Sequence, residues 1–209
     1  MRVVTISATY GTAGSVIGPA VADRLGVPFV DRAIPGAVAG ELGCTLEEAL
    51  AHDDRSEHGL GWLLSGAVRL PTATFGGVDV YLPGSMPPPP EDFVSHTEAV
   101  IRKIAAEQGG VILGRAGALV LAAHPGALHV RLDAPQRRRI LQTAALAGVS
   151  EREARRLVED NDRARTAYVR HFYRADPASP ELYHLVLDST TIPVSACVEL
   201  IVTASTALD

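Results

Sequence analysis

The chain has 209 residues, 47% of them hydrophobic, and a formal net charge of −5, which suits a globular protein with one substantial core. No apolar run approaches the roughly 20 residues of a membrane-spanning helix, and the N-terminus starts on a strand without the basic, apolar and small-residue order of a leader, so no membrane partner and a cytoplasmic location are expected. Charge is unevenly placed: residues 131–174 hold 11 of the 19 basic residues and net +5 against −10 elsewhere; that suits a small anionic ligand and speaks against nucleic acid, whose binders spread charge over a face.

The β-branched run Val3-Val4-Thr5-Ile6 reads as a strand. The apolar spacing of Val16, Ile17, Ala20, Val21 and Leu25 reads as a helix. Between them lies Ser7-Ala8-Thr9-Tyr10-Gly11-Thr12-Ala13-Gly14-Ser15, a strand, turn and helix order that makes a phosphate cradle from open amides and the positive end of the helix dipole. A Walker loop would read G-x-x-x-x-G-K-[ST]. Here Ala8 and Ala13 stand for the glycines, Gly14 for the lysine, and Ser15 for the hydroxyl. Lys103 is the sole lysine in the chain, so phosphate chemistry would have to rest on arginines, backbone amides and a metal.

Val27-Pro28-Phe29-Val30 predicts a second strand ending at Asp31-Arg32, followed by a helix over 33–42 and another from the capping box Thr45-Leu46-Glu47-Glu48. Trp62-Leu63-Leu64 belongs to a further apolar, helical segment. Residues 71–92, with Pro71, Gly76-Gly77, Pro83-Gly84 and Pro87 to Pro90, read as an insertion around a strand-like core at 78–82, either a passive surface segment or a flap over the site. Ser95-His96-Thr97-Glu98 predicts a helix start, Gly109-Gly110 its end, and Val111-Ile112-Leu113 a strand buried on both faces.

A small-residue helix over 116–123 then leads to a strand at 128–132. Pro135 opens an arginine-rich helical region, about 136–174, broken near Gly148 and restarted at Ser150-Glu151-Arg152-Glu153. A strand at 185–187 and a helix started by Pro193 close the chain. Strands separated by helices predict an α/β fold, a three-layer sandwich with a mostly parallel central sheet. Ligands of such sheets sit at the strands' carboxyl ends, where the first loop, Asp31, Arg115 and the chain after Ala134 could converge. Cys44 and Cys197 have no metal or redox spacing and read as reduced, packed thiols. His129 reads as a satisfied core histidine, and Tyr168, Phe172 and Tyr173 as packing residues.

Six ordered segments carry a resemblance: T-I-S-x-x-Y-G-x-x-G-S-x-I-G at 5–18, G-V-P-F-V-D-R at 26–32, V-I-L-G-R-A at 111–116, D-A-P-x-x-R-R at 133–139, D-x-x-R at 162–165 and Y-x-L-V-L-D-[ST] at 183–189. Together they resemble the cytidylate-kinase-like family of P-loop nucleoside monophosphate kinases. The resemblance implies a P-loop NTPase-like single domain with a helical lid, ATP and Mg²⁺ as cofactors, and phosphoryl transfer to a nucleoside monophosphate such as CMP or dCMP, with another phosphorylated or hydroxylated small metabolite left open as acceptor.

Carried over by position, the resemblance makes Tyr10, Gly11, Thr12, Ala13, Gly14 and Ser15 the phosphate loop, with the Ser15 hydroxyl near the metal. It gives Asp31, Arg32 and Arg115 to the acceptor, and makes Arg115, Arg139, Asp162 and Arg165 the catalytic and lid residues. Asp31 paired with Arg32, or capping the next helix, is the structural alternative. Arg152, Arg155 and Arg156 read as a solvated face with Glu151, Glu153 and Glu159. Ala116 stands where cytidylate kinases carry an aspartate, and Pro19 removes a donor from the first helix. A catalytically silent nucleotide- or anion-binding protein, acting as sensor or partner subunit, stays open beside the kinase, as does a homodimer.

Overall fold

The computed structural model describes residues 1–30 and 90–208. Asp31, Arg32, Cys44, the helices predicted over 33–42, from Thr45 and around Trp62, and the segment 71–89 lie outside the described residues. The elements in chain order are β1 (Val3–Ala8), α1 (Gly14–Leu25), β2 (Phe29–Val30), α2 (Pro90–Glu107), β3 (Gly110–Leu113), α3 (Gly117–Val120), β4 (Ala127–Asp133), α4 (Gln136–Ala147), α5 (Glu151–Tyr173), β5 (Leu185–Asp188) and α6 (Val194–Thr206). A 3₁₀ turn at Pro180–Leu182 precedes β5.

The five strands form one parallel sheet in the order β2-β3-β1-β4-β5. β1 is central, with Val3 opposite Gly110 of β3 and Ala127 of β4. That position explains its composition, since a strand covered on both faces has no place for alternating polar residues. On one face Val4, Ile6, Val111, Leu128, Val130 and Leu132 pack with Ile17, Val21 and Ala22 of α1 and Cys197, Val198 and Ile201 of α6. On the other, Val3, Ile112 and Ala127 pack with Val100, Ile101 and Ala105 of α2 and with Val120 and Leu121 at the end of α3. The result is a three-layer α/β sandwich. Helices α4 and α5 form a hairpin with a small core of its own, Ile140, Ala154 and Val158, against which Tyr10 packs.

Local signals account for most boundaries. Gly26 and Gly148 cap their helices at φ values of 66°, a conformation that costs glycine nothing. Ser150 accepts a hydrogen bond from the Glu153 amide at 3.2 Å, the arrangement its sequence predicts. Two expectations need correction. The helix expected to start at Ser95 begins at Pro90, because proline is favoured in a first helical turn, and Ser95 to Glu98 lie inside it. The helix expected over 116–123 is regular over Gly117–Val120 alone; Pro125 and Gly126, the latter at φ 77°, turn the chain into β4 and leave no room to continue it. Pro19 sits within α1 and does not interrupt it. No helix among the described residues is long and apolar enough to cross a membrane.

His129, on β4, is satisfied by Thr5 on β1, whose hydroxyl lies 2.8 Å from Nδ1. Its ring stacks on His184 at 4.9 Å. Burial, with the neighbouring His184 as second cause, lowers its pKa to about 4, so the folded protein holds this ring neutral. Between pH 6.5 and 4 the unfolded chain takes up a proton that the folded chain refuses, and stability falls as pH falls, by up to about 1.4 kcal/mol per unit. Thermal unfolding between pH 7 and 4 should show this decline. His129→Gln keeps an acceptor for Thr5 and cannot titrate, so it should flatten the decline in that window. Asp133 and Asp188, both held below the usual carboxylate range, begin to lose their contribution only below about pH 5, so the comparison is read between pH 6.5 and 5.

Candidate active site

The chain from β1 into α1 closes a tight loop, and its polar groups are pinned from three sides. The Thr9 amide donates to the Leu132 carbonyl at 3.0 Å, and the Thr9 hydroxyl donates to Asp133 at 3.0 Å. The Thr12 hydroxyl donates back to the Thr9 carbonyl at 2.6 Å. After β5, Ser189 donates to the Thr12 carbonyl at 2.8 Å. At the N-terminus of α1, Ala13 supplies no side-chain cap, so the first helix amides are left for a bound anion. Ser15, at the second position of that helix, is exposed and lines the cavity described below.

Ala13 is held at φ 55°. An L residue there crowds its Cβ against the backbone at about 1–2 kcal/mol. Ala13→Gly relieves this, and the freer unfolded chain takes back about 0.4–1 kcal/mol. A net gain of about 0.5–1 kcal/mol is expected, read as a higher denaturation midpoint at unchanged slope.

The second element is the turn after β3. Gly114, Arg115 and Ala116 are consecutive left-handed residues at φ 76°, 52° and 52°. The turn is clamped by the Gly114 amide donating to the Ile6 carbonyl and the Gly117 amide donating to the Gly114 carbonyl, both at 2.9 Å. Two strained non-glycine residues in succession survive only where the surroundings over-determine them, and such strain gathers at functional sites. Here it delivers Arg115, only 8% exposed, to the wall of the cavity.

The hairpin α4–α5 brings the remaining arginines. Arg139 donates to the carbonyls of Ala134 at 2.9 Å and Tyr10 at 3.1 Å, and pairs with Asp162 through both carboxylate oxygens at 3.2 and 2.8 Å. It is a clasp that fixes the loop to the hairpin. Arg165 reaches across to the Ala8 carbonyl and the Ser7 hydroxyl at the end of β1. Arg155 and Arg156 form i,i+4 pairs with Glu151 and Asp160 at 3.6 and 3.5 Å, and Arg163 pairs with Asp160 at 3.8 Å, a solvated face.

A cavity of about 620 Å³ connects these parts, within the range of small-molecule sites. The predicted residues Tyr10 to Ser15, Arg115, Asp162 and Arg165 all line it, whereas Arg139 does not. Several lining residues carried no site role in the sequence. Thr143 faces the cradle from α4, and its buried hydroxyl has no hydrogen-bond partner. Tyr183, which lines the same cavity, shares a 2.9 Å hydrogen bond with Ser7 and donates to the Pro177 carbonyl at 2.8 Å. Behind it Arg131 holds Asp133 at 3.0 and 2.8 Å. Burial pushes the Asp133 carboxyl up, but Arg131, the Ala134 amide and Thr9 outweigh it and keep the group ionised. A polar residue in the buried strand β4 was the available signal for Arg131; nothing local marked Thr143. Tyr168 lines the cavity and lies 5.1 Å from Phe172 and 6.1 Å from Tyr173, ring to ring.

The donor set fits a nucleoside triphosphate: open amides at a helix N-terminus, a hydroxyl beside them and two guanidinium groups in one cavity. No cluster of three or more His, Cys, Asp or Glu that could hold a metal by itself exists among the described residues. The Ser15 hydroxyl therefore suits Mg²⁺ only in company with phosphate oxygens and water, its usual surroundings.

Comparison with known proteins gives a family and a fold. A model described as the cytidylate kinase-like family matches residues 3–191. Over 99% of its length the chain is similar to an uncharacterized protein from Eubacterium ventriosum, covering 99% of that chain with TM-score 0.67 and 14% identity. It is also similar, over 99% of its length and 93% of the other chain, to a gluconokinase from Sinorhizobium meliloti, with TM-score 0.52 and 13% identity. At these identities the likeness is one of fold. A uronate isomerase from Corynebacterium glutamicum is 35% identical over 98 residues, 47% of this chain; the match spans only 19% of the length of that curated relative.

Proposed function

Because this chain belongs to the cytidylate kinase-like family, we propose that it transfers the γ-phosphoryl group of ATP to a nucleoside monophosphate of the CMP or dCMP type, or to a related small phosphorylated metabolite. The family supports a phosphotransfer role in general. The observation that carries the finer reading is the sharing of one cavity by the N-terminus of α1, Arg115 from the β3 turn and Arg165 from α5. Donor and acceptor phosphates need that arrangement, since phosphoryl transfer depends on positioning and on charge neutralisation more than on covalent help.

In this reading the amides of Gly11 and of Ala13 to Ser15 hold the ATP phosphates, the Thr12 amide being used within the loop by the Thr9 carbonyl, and Arg115 grips the acceptor phosphate through its planar fork. Ser15 would hold Mg²⁺ together with phosphate oxygens, and the ion supplies charge neutralisation. Asp162 keeps Arg139 in its clasp, and Arg165 lies over the head of the cradle. Arginine keeps its charge at any working pH. The hairpin α4–α5, about residues 136–174, acts as the lid that shields the reaction from water. Within the described residues the mechanism leaves the acceptor base unassigned; Asp31 and Arg32 belong to the proposed acceptor side.

A coupled ADP-release assay with Mg²⁺, ATP and a panel of monophosphates tests the proposal, with turnover expected for a pyrimidine monophosphate. ATP at about 100 times its dissociation constant should raise the unfolding temperature by roughly 5 °C or more. Binding without turnover on any acceptor would identify the silent nucleotide-binding alternative. Absence of binding would overturn both.

A further inference from the structure

Two buried polar side chains of the hairpin leave hydrogen-bonding capacity unused among the described residues, and both line the cavity. Thr143 of α4 is 4% exposed, and its hydroxyl has no partner. The ordinary refuge of a helical threonine is the carbonyl one turn back; here that group belongs to Arg139 and is not taken. Asn161 of α5 is 7% exposed, and its side-chain nitrogen donates to the Leu157 carbonyl at 2.8 Å. A carbonyl accepts only from the nitrogen of an amide, which fixes the side chain's orientation and leaves Oδ1 unpaired among the described residues. Buried polar groups are satisfied as a rule. Two exceptions on one wall of a cavity point to a ligand that satisfies both.

The chemistry of the two groups selects the part of a nucleotide they meet. An ionised phosphate offers only acceptors, as does Oδ1, so this oxygen does not hold a phosphate; its complement is an N–H or O–H. Beside it Leu146 and Ala147 of α4 and Val169 of α5 line the same cavity, and Leu146 is 71% exposed, apolar surface that a flat ring can cover. Thr143, Leu146 and Ala147 share one face of α4 by their spacing of three and four, and Asn161 and Val169 share one face of α5. We propose that these two faces form a nucleobase subsite, in which Asn161 Oδ1 accepts from the exocyclic amino group of an aminopyrimidine or aminopurine and the Thr143 hydroxyl bonds the same nucleoside. Asn161 is then a specificity residue, because a base with an oxo group in place of the amine sets one acceptor against another. The inference rests on the nucleotide-binding reading above and assigns the base that this reading leaves open.

Calorimetric binding of two nucleotide pairs that differ by amino against oxo, CMP with UMP and ATP with inosine triphosphate, tests it on the wild type, Asn161→Leu and Thr143→Val. In the pair that uses the subsite the wild type should bind the amino member about tenfold tighter. Asn161→Leu should weaken that member about tenfold and leave the oxo member unchanged or tighter, and the pair affected tells whether the acceptor's base or the donor's sits there. Thr143→Val, of the same shape, should raise the unfolding temperature of the nucleotide-free protein by about 2 °C or more, since it removes a buried hydroxyl without a partner, and should weaken the same nucleotide about three- to tenfold. Should Asn161→Leu not fold, Asn161→Ala takes its place. No amino preference in either pair, or a preference that survives at 161 in both, overturns the subsite; so does an equal loss for amino and oxo members, which would put a sugar hydroxyl on Oδ1. A Thr143→Val protein that melts no higher than wild type, or binds every nucleotide as wild type does, overturns the part given to Thr143. If the wild type binds none of these nucleotides, the proposed function falls and the subsite with it, whereas binding with a preference independent of Asn161 removes the subsite alone.

Discussion

Arg115→Ala should lower kcat/KM for phosphoryl transfer by about 10³, the low end of what a single transition-state arginine contributes, while the rise in unfolding temperature produced by ATP is retained. Both halves follow from position. Arg115 lines the cavity from the β3 turn, an element separate from both the first loop and the hairpin. Its loss therefore removes charge from the acceptor side and leaves residues 11–15 as they were. Alanine at 115 inherits the same φ of 52°, so the strain of the turn is unchanged and the comparison reports the guanidinium. Arg115→Lys should recover only part of the activity, because an ammonium cannot match the two-point contact of the fork. Less than a tenfold loss, or an equal loss of ATP binding, would show that Arg115 does not hold the acceptor.

Gly11→Ala should cost stability and ATP binding together. Gly11 adopts φ 83°, and a Cβ there would lie 2.7 Å from the Arg139 carbonyl oxygen and 2.6 Å from the Thr143 hydroxyl. The threonine can rotate. The carbonyl cannot, since it belongs to the backbone of α4. Left-handed strain of about 1–2 kcal/mol adds to an overpacking cost of about 1–3 kcal/mol, and the sum predicts an unfolding temperature lower by roughly 5–15 °C. Relief of the clash pushes the loop away from α4 and stretches the bond from Arg139 to the Tyr10 carbonyl. ATP affinity should fall at least tenfold. Gly14→Ala makes a useful control, because there the obstacle is the Ala8 methyl, 2.5 Å from where the Cβ would lie, and Ala8→Gly should rescue it, whereas no single side-chain change rescues Gly11→Ala. A Gly11→Ala protein that melts within 2 °C of wild type would mean that the loop and α4 are not in the close contact described.

Much of the fold was legible because its signals are local. Hydrophobic runs mark β1, β3 and β4, since a strand covered on both faces cannot alternate. Glycines mark the ends of α1 and α4, because their φ values are closed to other residues at low energy. Ser150 and Glu153 mark the start of α5 because a cap is satisfied within four residues. The start of α2 was misplaced for the same reason: a Ser-x-x-Glu pattern inside a helix is identical in sequence to one at its end, and only the packing of Val94, Val100 and Ile101 decides between them.

The candidate site divides along a similar line. The sequence by itself determined the cradle between β1 and α1, the absence of a Walker lysine, the Gly-Arg turn after β3 and the concentration of arginines over 131–174, all properties of residue type and spacing along the chain. Only the tertiary structure decided what each arginine touches. Arg139 and Arg165 lie on the same hairpin and look alike in sequence, yet one is consumed by Asp162 and the Tyr10 carbonyl and the other lies over Ala8. Only the tertiary structure, too, turned the substitutions Ala8 and Gly14 from two separate departures into one steric fact, because residues six apart in a loop report nothing of their contact until the strand and the helix are placed. The physical reason is common to both: backbone preferences act over a few residues, whereas the partner of a long side chain, or the space left for a methyl, is set by elements that the sheet brings together from far along the chain.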